Sequence, residues 1–170
     1  MFNSLYIHIP FCLSKCDYCV FYSTANHTTL QRKDFLECLK KEFEKHKSQC
    51  SHLKSLFIGG GTPSCLSTRE LQELFKIIHS SFDFADSAEF TIESNPASLN
   101  LEKIKVLADN GINRISLGVQ SFNPDIRTIL GRKGDITMLD DLFNEFHKND
   151  IKNINLDMIY AIPEQTCHDW

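Results

Sequence analysis

Five strand-like segments separated by helix-like apolar stripes constrain this chain more than any other feature. Leu5-Tyr6-Ile7-His8-Ile9 alternates apolar and polar with period two, the signature of a strand. Leu56-Phe57-Ile58 runs into Gly59-Gly60-Gly61, and Glu89 to Glu93 stops at Asn95-Pro96. Arg114 to Val119 and Ile154 to Ile159 supply a fourth and a fifth strand. Between them, Phe35, Leu36, Leu39 and Phe43 recur at helical spacing from about Thr29 to Lys47. Ser67 and Glu70 form a capping box ahead of Leu71, Leu74, Phe75 and Ile78. Asn100 caps a stripe of Leu101, Ile104 and Leu107, which Gly111 ends. Thr137 with Asp140 opens a further helix through Leu139, Leu142, Phe143 and Phe146.

Strands alternating with helices build a parallel α/β sheet. It can stay open and doubly wound, or curl into a (β/α) barrel. The strand faces separate the two. Tyr6 and His8 share a face, as do Thr91 and Glu93; Ser116, Gly118 and Gln120; and Asn155 and Asp157. The intervening positions, among them Ile7, Phe90, Ile92, Ile115, Leu117, Leu156 and Met158, are apolar. An open parallel sheet is covered by helices on both sides and is apolar on both. One apolar and one polar face fits a barrel wall around a ligand-filled lumen. A full barrel takes about 250 residues, so the 170 residues predict a partial TIM-like barrel of about five βα units. Residues 1–170 then form the N-terminal portion of a core, with no second domain. Thr166 and Asp169 resemble one more capping box, which would start a helix at the end of the chain.

Composition narrows the function. The chain is 42% hydrophobic, enough for a packed core rather than a disordered tail. Its 18 basic residues against 22 acidic ones give a net charge of −4, which speaks against non-specific nucleic-acid binding. No apolar run approaches the roughly 20 residues of a membrane helix. Met1 to Pro10 lacks the charged start and long apolar stretch of a signal peptide, which makes the cytoplasm the expected compartment. In a reducing compartment, clustered cysteines serve as metal ligands or catalysts rather than as disulfides.

Three of the seven cysteines, Cys12, Cys16 and Cys19, fall within eight residues on the loop after the first strand. Buried packing suits Cys38 and Cys50 but not three thiols in one turn-rich loop. Structural zinc sites take four ligands, commonly in two pairs. No second pair exists here, although His8, Cys65 or Cys167 could each complete a site. Three thiolates on a four-iron cluster leave one iron open for another ligand, and the spacing favours this over zinc. Gly59-Gly60-Gly61-Thr62-Pro63 is neither a P-loop nor a dinucleotide fingerprint. Glycines at a strand end let backbone approach a ligand and leave N–H groups for it. Glu93, Gln120 and Asp157 lie at or near the ends of strands three, four and five. All five strand ends thus offer ligand chemistry at the face where barrel active sites lie.

The cysteine spacing resembles that of the radical S-adenosylmethionine (SAM) enzymes, with an aromatic before the last Cys. Within them, the chain is similar to the oxygen-independent coproporphyrinogen oxidase group. The blocks that carry the likeness occur in order: Tyr6-Ile-His-Ile-Pro-Phe-Cys12, Gly59-Gly-Gly-Thr-Pro63, Ile92-Glu-Ser-Asn-Pro96, Asn113-Arg-Ile-Ser-Leu-Gly-Val-Gln-Ser-Phe122, Leu130-Gly-Arg132 and Asn155-Leu-Asp-Met-Ile-Tyr160. The resemblance implies that Cys12, Cys16 and Cys19 bind three irons of a [4Fe–4S] cluster, with SAM on the fourth. It implies SAM contacts from Tyr6, Tyr18, Gly60, Gly61, Thr62, Glu93, Gln120, Arg132 and Asp157. Arg132 would pair with the SAM carboxylate, and Glu93 or Asp157 would accept from its amino group or ribose. A reduced cluster would cleave SAM to methionine and a 5′-deoxyadenosyl radical.

Phe21 separates two branches of the group. The oxidase carries another Cys two positions after the third cluster Cys; here that position is Phe21. The heme-chaperone branch lacks it and carries an aromatic followed by polar residues, as in Phe21-Tyr22-Ser23. Val20 stands where that branch often has Asp, and Gly134 where His often follows the Leu-Gly-Arg block. The resemblance therefore implies a SAM- and cluster-dependent heme chaperone, with heme as cargo of the full-length protein. Its partners would be heme or a porphyrin, an electron donor and a heme-acceptor protein. A homodimer is left open. The alternatives are a coproporphyrinogen III oxidase and a truncated, inactive fragment. No catalytic residue is assigned, and turnover of a substrate stays open.

Overall fold

The computed structural model describes residues 1–169. Five strands, β1 (Phe2–Ile9), β2 (Cys50–Gly60), β3 (Phe84–Ser94), β4 (Arg114–Gln120) and β5 (Asn153–Met158), form one sheet. All neighbours are parallel, in the order β1-β2-β3-β4-β5. A doubly wound sheet reverses its strand order at a switch point; this one never does. Each crossover therefore returns on the same side, since parallel crossovers share one hand. The result is the partial barrel wall that the strand faces predict. Helices α1 (Thr29–His46), α2 (Thr68–Ser81), α3 (Leu101–Asp109) and α5 (Leu139–Lys148) form the crossovers, and a short α4 (Pro124–Ile129) precedes α5.

The apolar strand positions meet the helical stripes in one core. Ile7, Ile58, Ile92, Ile115 and Leu117 of the sheet are buried with Leu71, Leu74 and Phe75 of α2, Ile104 and Leu107 of α3, and Leu142 and Phe146 of α5. Each such side chain contributes about 1.5–3 kcal/mol by leaving water. The polar strand face is thereby turned to the lumen. On β5, Ile154, Leu156 and Met158 stay half-buried.

The helix ends follow the capping chemistry, with one exception. Ser67 and Glu70 close a reciprocal box at α2, and Thr28 with Gln31 closes another at α1. The Asn100 side chain accepts from the Lys103 N–H at 2.8 Å. Gly111 follows α3 at φ +89°, a left-handed conformation that suits glycine after a helix. The expected Thr137–Asp140 box does not form. Thr137 turns back to Asp135, its N–H and hydroxyl donating to that carboxylate at 2.8 and 2.6 Å. Helix α5 then starts at Leu139 without a side-chain cap. Strands β2 and β3 also begin earlier than the pattern suggests, because Leu53 pairs with Phe84 ahead of a register irregularity. At the other end, Thr166 donates to Asp169 as a capping turn would; the helix expected after it lies outside the described residues. Among the described residues no helix is long and apolar enough to cross a membrane.

Candidate functional site

The loop after β1 is fixed before any ligand arrives. Phe11 bridges Thr24, the Cys12 N–H donates to the Thr24 carbonyl at 3.0 Å, and the Thr24 N–H donates to Pro10 at 2.8 Å. Lys15 Nζ reaches across the loop to the carbonyl of Phe21 at 2.9 Å and the hydroxyl of Ser23 at 3.1 Å. His8, on the lumen face of β1, holds the loop's far limb through Nε2 and the Tyr22 carbonyl, 2.8 Å apart. A carbonyl only accepts, so Nε2 carries the proton. Nδ1 then accepts from the Tyr6 hydroxyl at 3.1 Å. Both ring nitrogens of His8 are taken, which leaves neither for a metal.

Cys12 and Cys16 are buried and Cys19 is half-buried, all as free thiols. They line a cavity of about 490 Å³ at the C-terminal ends of the strands. The same cavity gathers Tyr18, Gly60, Gly61, Thr62, Glu93, Gln120, Arg132 and Asp157. Eleven of the twelve residues singled out from the sequence thus share one space. Tyr6 does not: it lies exposed earlier on β1, its ring 5.9 Å from that of Phe57, beyond the cavity lining.

The strand ends are joined side chain to backbone. The Gly60 N–H donates to Glu93 Oε2 at 3.0 Å, which ties β2 to β3. Asp157 on β5 accepts from Ser116 at 2.9 Å and from Asn155 at 2.7 Å. Arg132 donates to the Gly118 carbonyl of β4 and lies 3.4 Å from Cys16 Sγ, so the Leu-Gly-Arg turn docks on the cysteine loop. Gly118 makes room for this contact: a Cβ would stand 2.8 Å from the guanidinium and 2.7 Å from the Gln120 amide, so both side-chain ends would have to shift. Gln120 itself has φ +73° beside a register irregularity, a strain of the kind concentrated at functional sites.

One expectation is corrected. The glycine loop offers no free N–H groups: Gly60 donates to Glu93, Gly61 to the Ile9 carbonyl at 2.8 Å, and Thr62 to the Phe11 carbonyl at 2.8 Å. What the loop can present to a ligand is its carbonyl oxygens. Its tightness has another purpose. A Cβ on Gly61 would meet the Phe11 carbonyl at 2.6 Å and Cys12 Sγ at 3.0 Å, so glycine lets the loop lie against the cysteines. Thr62 completes that contact, its hydroxyl 3.6 Å from Cys12 Sγ. The sequence did not single out Ser94 and Asn95, which also line the cavity. Gly118 inside β4 carried a signal, since glycine within a strand marks close approach.

Burial shapes the titrations. It pushes the Tyr18 phenol up to about 12, helped by Cys16 and opposed by Arg132. It also pushes the Cys65 thiol up to about 12, leaving a protonated, poor metal ligand. Glu93 is raised chiefly by burial and further by Asp157, with the Gly60 N–H and His8 pulling the other way. The folded chain thus holds this proton more tightly than the unfolded chain does. The group's contribution to stability is full below the ordinary carboxylate range and is lost as pH rises through the raised value. Glu93→Gln keeps an acceptor for Gly60 and should flatten that loss. Denaturant midpoints followed from acid to neutral pH measure it; parallel curves for variant and parent would refute the assignment.

Residues 6–170 match the radical SAM superfamily. The chain is 42% identical to the heme chaperone HemW of Lactococcus lactis, over 96% of its own length and 42% of that protein's. It is 38% identical to HemW of Buchnera aphidicola from Schizaphis graminum, over 98% of this chain and 44% of the relative. Coproporphyrinogen III oxidase (HemN) of Escherichia coli superposes with a TM-score of 0.91 at 31% identity, covering 98% of this chain and 39% of that one. The chain spans less than half the length of these proteins. A radical SAM methyltransferase of Kitasatospora setae, TsrM, shares the fold at a TM-score of 0.66 and 15% identity, over 98% of this chain and 32% of that one. The cysteine loop, the ordered parallel sheet and the match over nearly its whole length establish that the chain belongs to the radical SAM superfamily.

Proposed function

We propose that the chain binds a [4Fe–4S] cluster and SAM, and that it is the N-terminal portion of a radical SAM core with a heme-chaperone role. The single observation that carries this is the cavity where three cysteines face Glu93, Arg132 and Asp157. The donor set fits the cluster. A lone zinc ion needs every donor within about 2.0–2.3 Å. Structural zinc usually takes four donors, and the loop supplies three clustered thiols. A cluster spreads its thiolates over separate irons. The wall also holds two buried polar atoms without partners, Arg132 Nε and Ser94 Oγ, and such groups are costly unless a ligand satisfies them.

When bound, the cluster supplies the electron for reductive cleavage of SAM. The remaining work falls to the chain's own residues. Cys12, Cys16 and Cys19 hold three irons. Arg132 pairs with the SAM carboxylate while its charge also balances the thiolate loop. The carbonyls of Gly60 and Gly61 accept from the SAM amino group. Glu93 and Asp157 accept from its amino or ribose groups; Thr62, Gln120 and Tyr18 complete the wall. Tyr6, outside the cavity, acts through the His8 ring. Leu13, Val20, Phe21 and Ile159 supply the apolar lining that limits water.

Phe21 favours the chaperone role over the oxidase. It has neither a thiolate nor a hydrogen-bonding group, and the match to the HemW relatives at 38–42% identity exceeds that to the E. coli oxidase at 32%. The test uses protein expressed from the intact gene, reconstituted anaerobically with reductant and SAM. It should leave the propionates of coproporphyrinogen III intact by mass, and it should bind heme and pass it to an acceptor. Two SAM-dependent decarboxylations per substrate would establish the oxidase instead.

A further inference from the structure

Lys103 stands where a cation is costly. It lies in the first turn of α3, at the positive end of the helix dipole. It is half-buried, and burial lowers its pKa against the pull of Cys65 and Glu70. Two short hydrogen bonds offset these costs. Lys103 Nζ donates to the Ser64 carbonyl at 2.7 Å and to the Ser98 carbonyl at 2.8 Å. Ser64 belongs to the turn after β2 and Ser98 to the turn after β3. The same two serines meet through their hydroxyls at 2.5 Å, and the Asn95 N–H donates to Ser64 Oγ at 3.1 Å.

This knot lies where β2 and β3 stop pairing with each other, although Gly60 still pairs with β1 and Glu93 and Ser94 with β4. The β2–β3 ladder ends at Ile58 and Ile92. Beyond it, the strand ends at Gly60 and Glu93 and the exit loops with Gly61, Thr62 and Asn95 reach the cavity. Their spacing is set by the Gly60–Glu93 bond and by the knot. We propose that Lys103 is a positioning residue for SAM: its ammonium cross-links the β2 and β3 exit loops and holds the glycine carbonyls opposite the Glu93 carboxylate. The role rests on the assignment of the cavity to SAM.

Lys103→Met removes charge and donors while keeping length; Lys103→Arg restores both. Three quantities are read on anaerobically reconstituted protein: iron content, SAM affinity by calorimetry, and amide exchange. Lys103→Met should keep its iron, weaken SAM about tenfold, and raise exchange at residues 60–66 and 94–99 alone. Lys103→Arg should recover most of the affinity. Unchanged affinity and exchange in Lys103→Met would overturn the proposal. So would a rise in exchange across the whole chain with loss of iron, which marks a general support of the fold. A parent protein that holds its cluster but binds no SAM would instead overturn the assignment of the cavity, and this role with it.

Discussion

Anaerobic reconstitution of Cys12→Ala, Cys16→Ala or Cys19→Ala is expected to leave little iron or sulfide bound, against about four of each in the parent. Cys38→Ala, with its thiol exposed on α1, should bind as the parent does. The difference is expected to be large because, under the proposed assignment, each of the three thiols would hold its own iron, and the two candidate replacements nearest the loop are poorly suited to take over. Cys65 is the nearest candidate by its coupling to Cys12, but burial keeps it protonated. His8 is held by Tyr6 and Tyr22. Iron and sulfide analysis, with the visible absorbance of the cluster, gives the result. Far-UV circular dichroism checks that each variant folds, which the loop's independent anchors at Thr24, Lys15 and His8 favour. Stoichiometric zinc that iron cannot displace from the parent would sink the cluster assignment.

Gly60→Val should cost SAM binding heavily, about 10- to 100-fold, from strain of roughly 1–3 kcal/mol. Two effects add. Gly60 sits at φ +112°, and a Cβ there would lie 2.8 Å from two atoms of the His8 ring. A β-branched residue tolerates neither. The backbone must shift, and it carries the N–H that Glu93 accepts. Iron content separates the site from the fold. His8 is one anchor of the cysteine loop among several, so the cluster should be retained. Adding His8→Ala removes the ring but not the positive φ, so recovery should be partial. Equal SAM affinity in Gly60→Val and parent would show that the glycine loop does not meet the ligand.

The strand ends show how far the sequence reaches. A polar residue at every second position of β3, β4 and β5 told which face was the lumen, because side chains alternate across a strand. That placed Glu93, Gln120 and Asp157 on the cavity side; the cysteines came from their loop spacing, and the remaining cavity residues from the resemblance to the radical SAM group. Tyr6, which the resemblance implied, lies outside the lining along with its face-mate His8, two residues or nearly 7 Å further along β1. The glycine loop failed differently. Its N–H groups look free in a sequence, but parallel pairing of β1 with β2 and the reach of Glu93 consume them. Short α4 was missed although Asn123-Pro124 is a cap followed by a proline at the first helical position. Six residues hold too little periodicity to register.

What the sequence determined by itself is what local periodicity and spacing encode: the order of strands and helices, the apolar face of each, and a three-cysteine loop after β1. These follow from neighbours along the chain, where 2.0- and 3.6-residue repeats fix which side chains point together. What only the tertiary structure decided is how distant segments share atoms. Ser64 and Ser98 are 34 residues apart, and Cys16 and Arg132 are 116 apart, yet each pair meets at the site. No pattern in either segment announces its partner. Lys103 reads as one more polar position on a helix until the sheet brings two strand exits within reach of its ammonium.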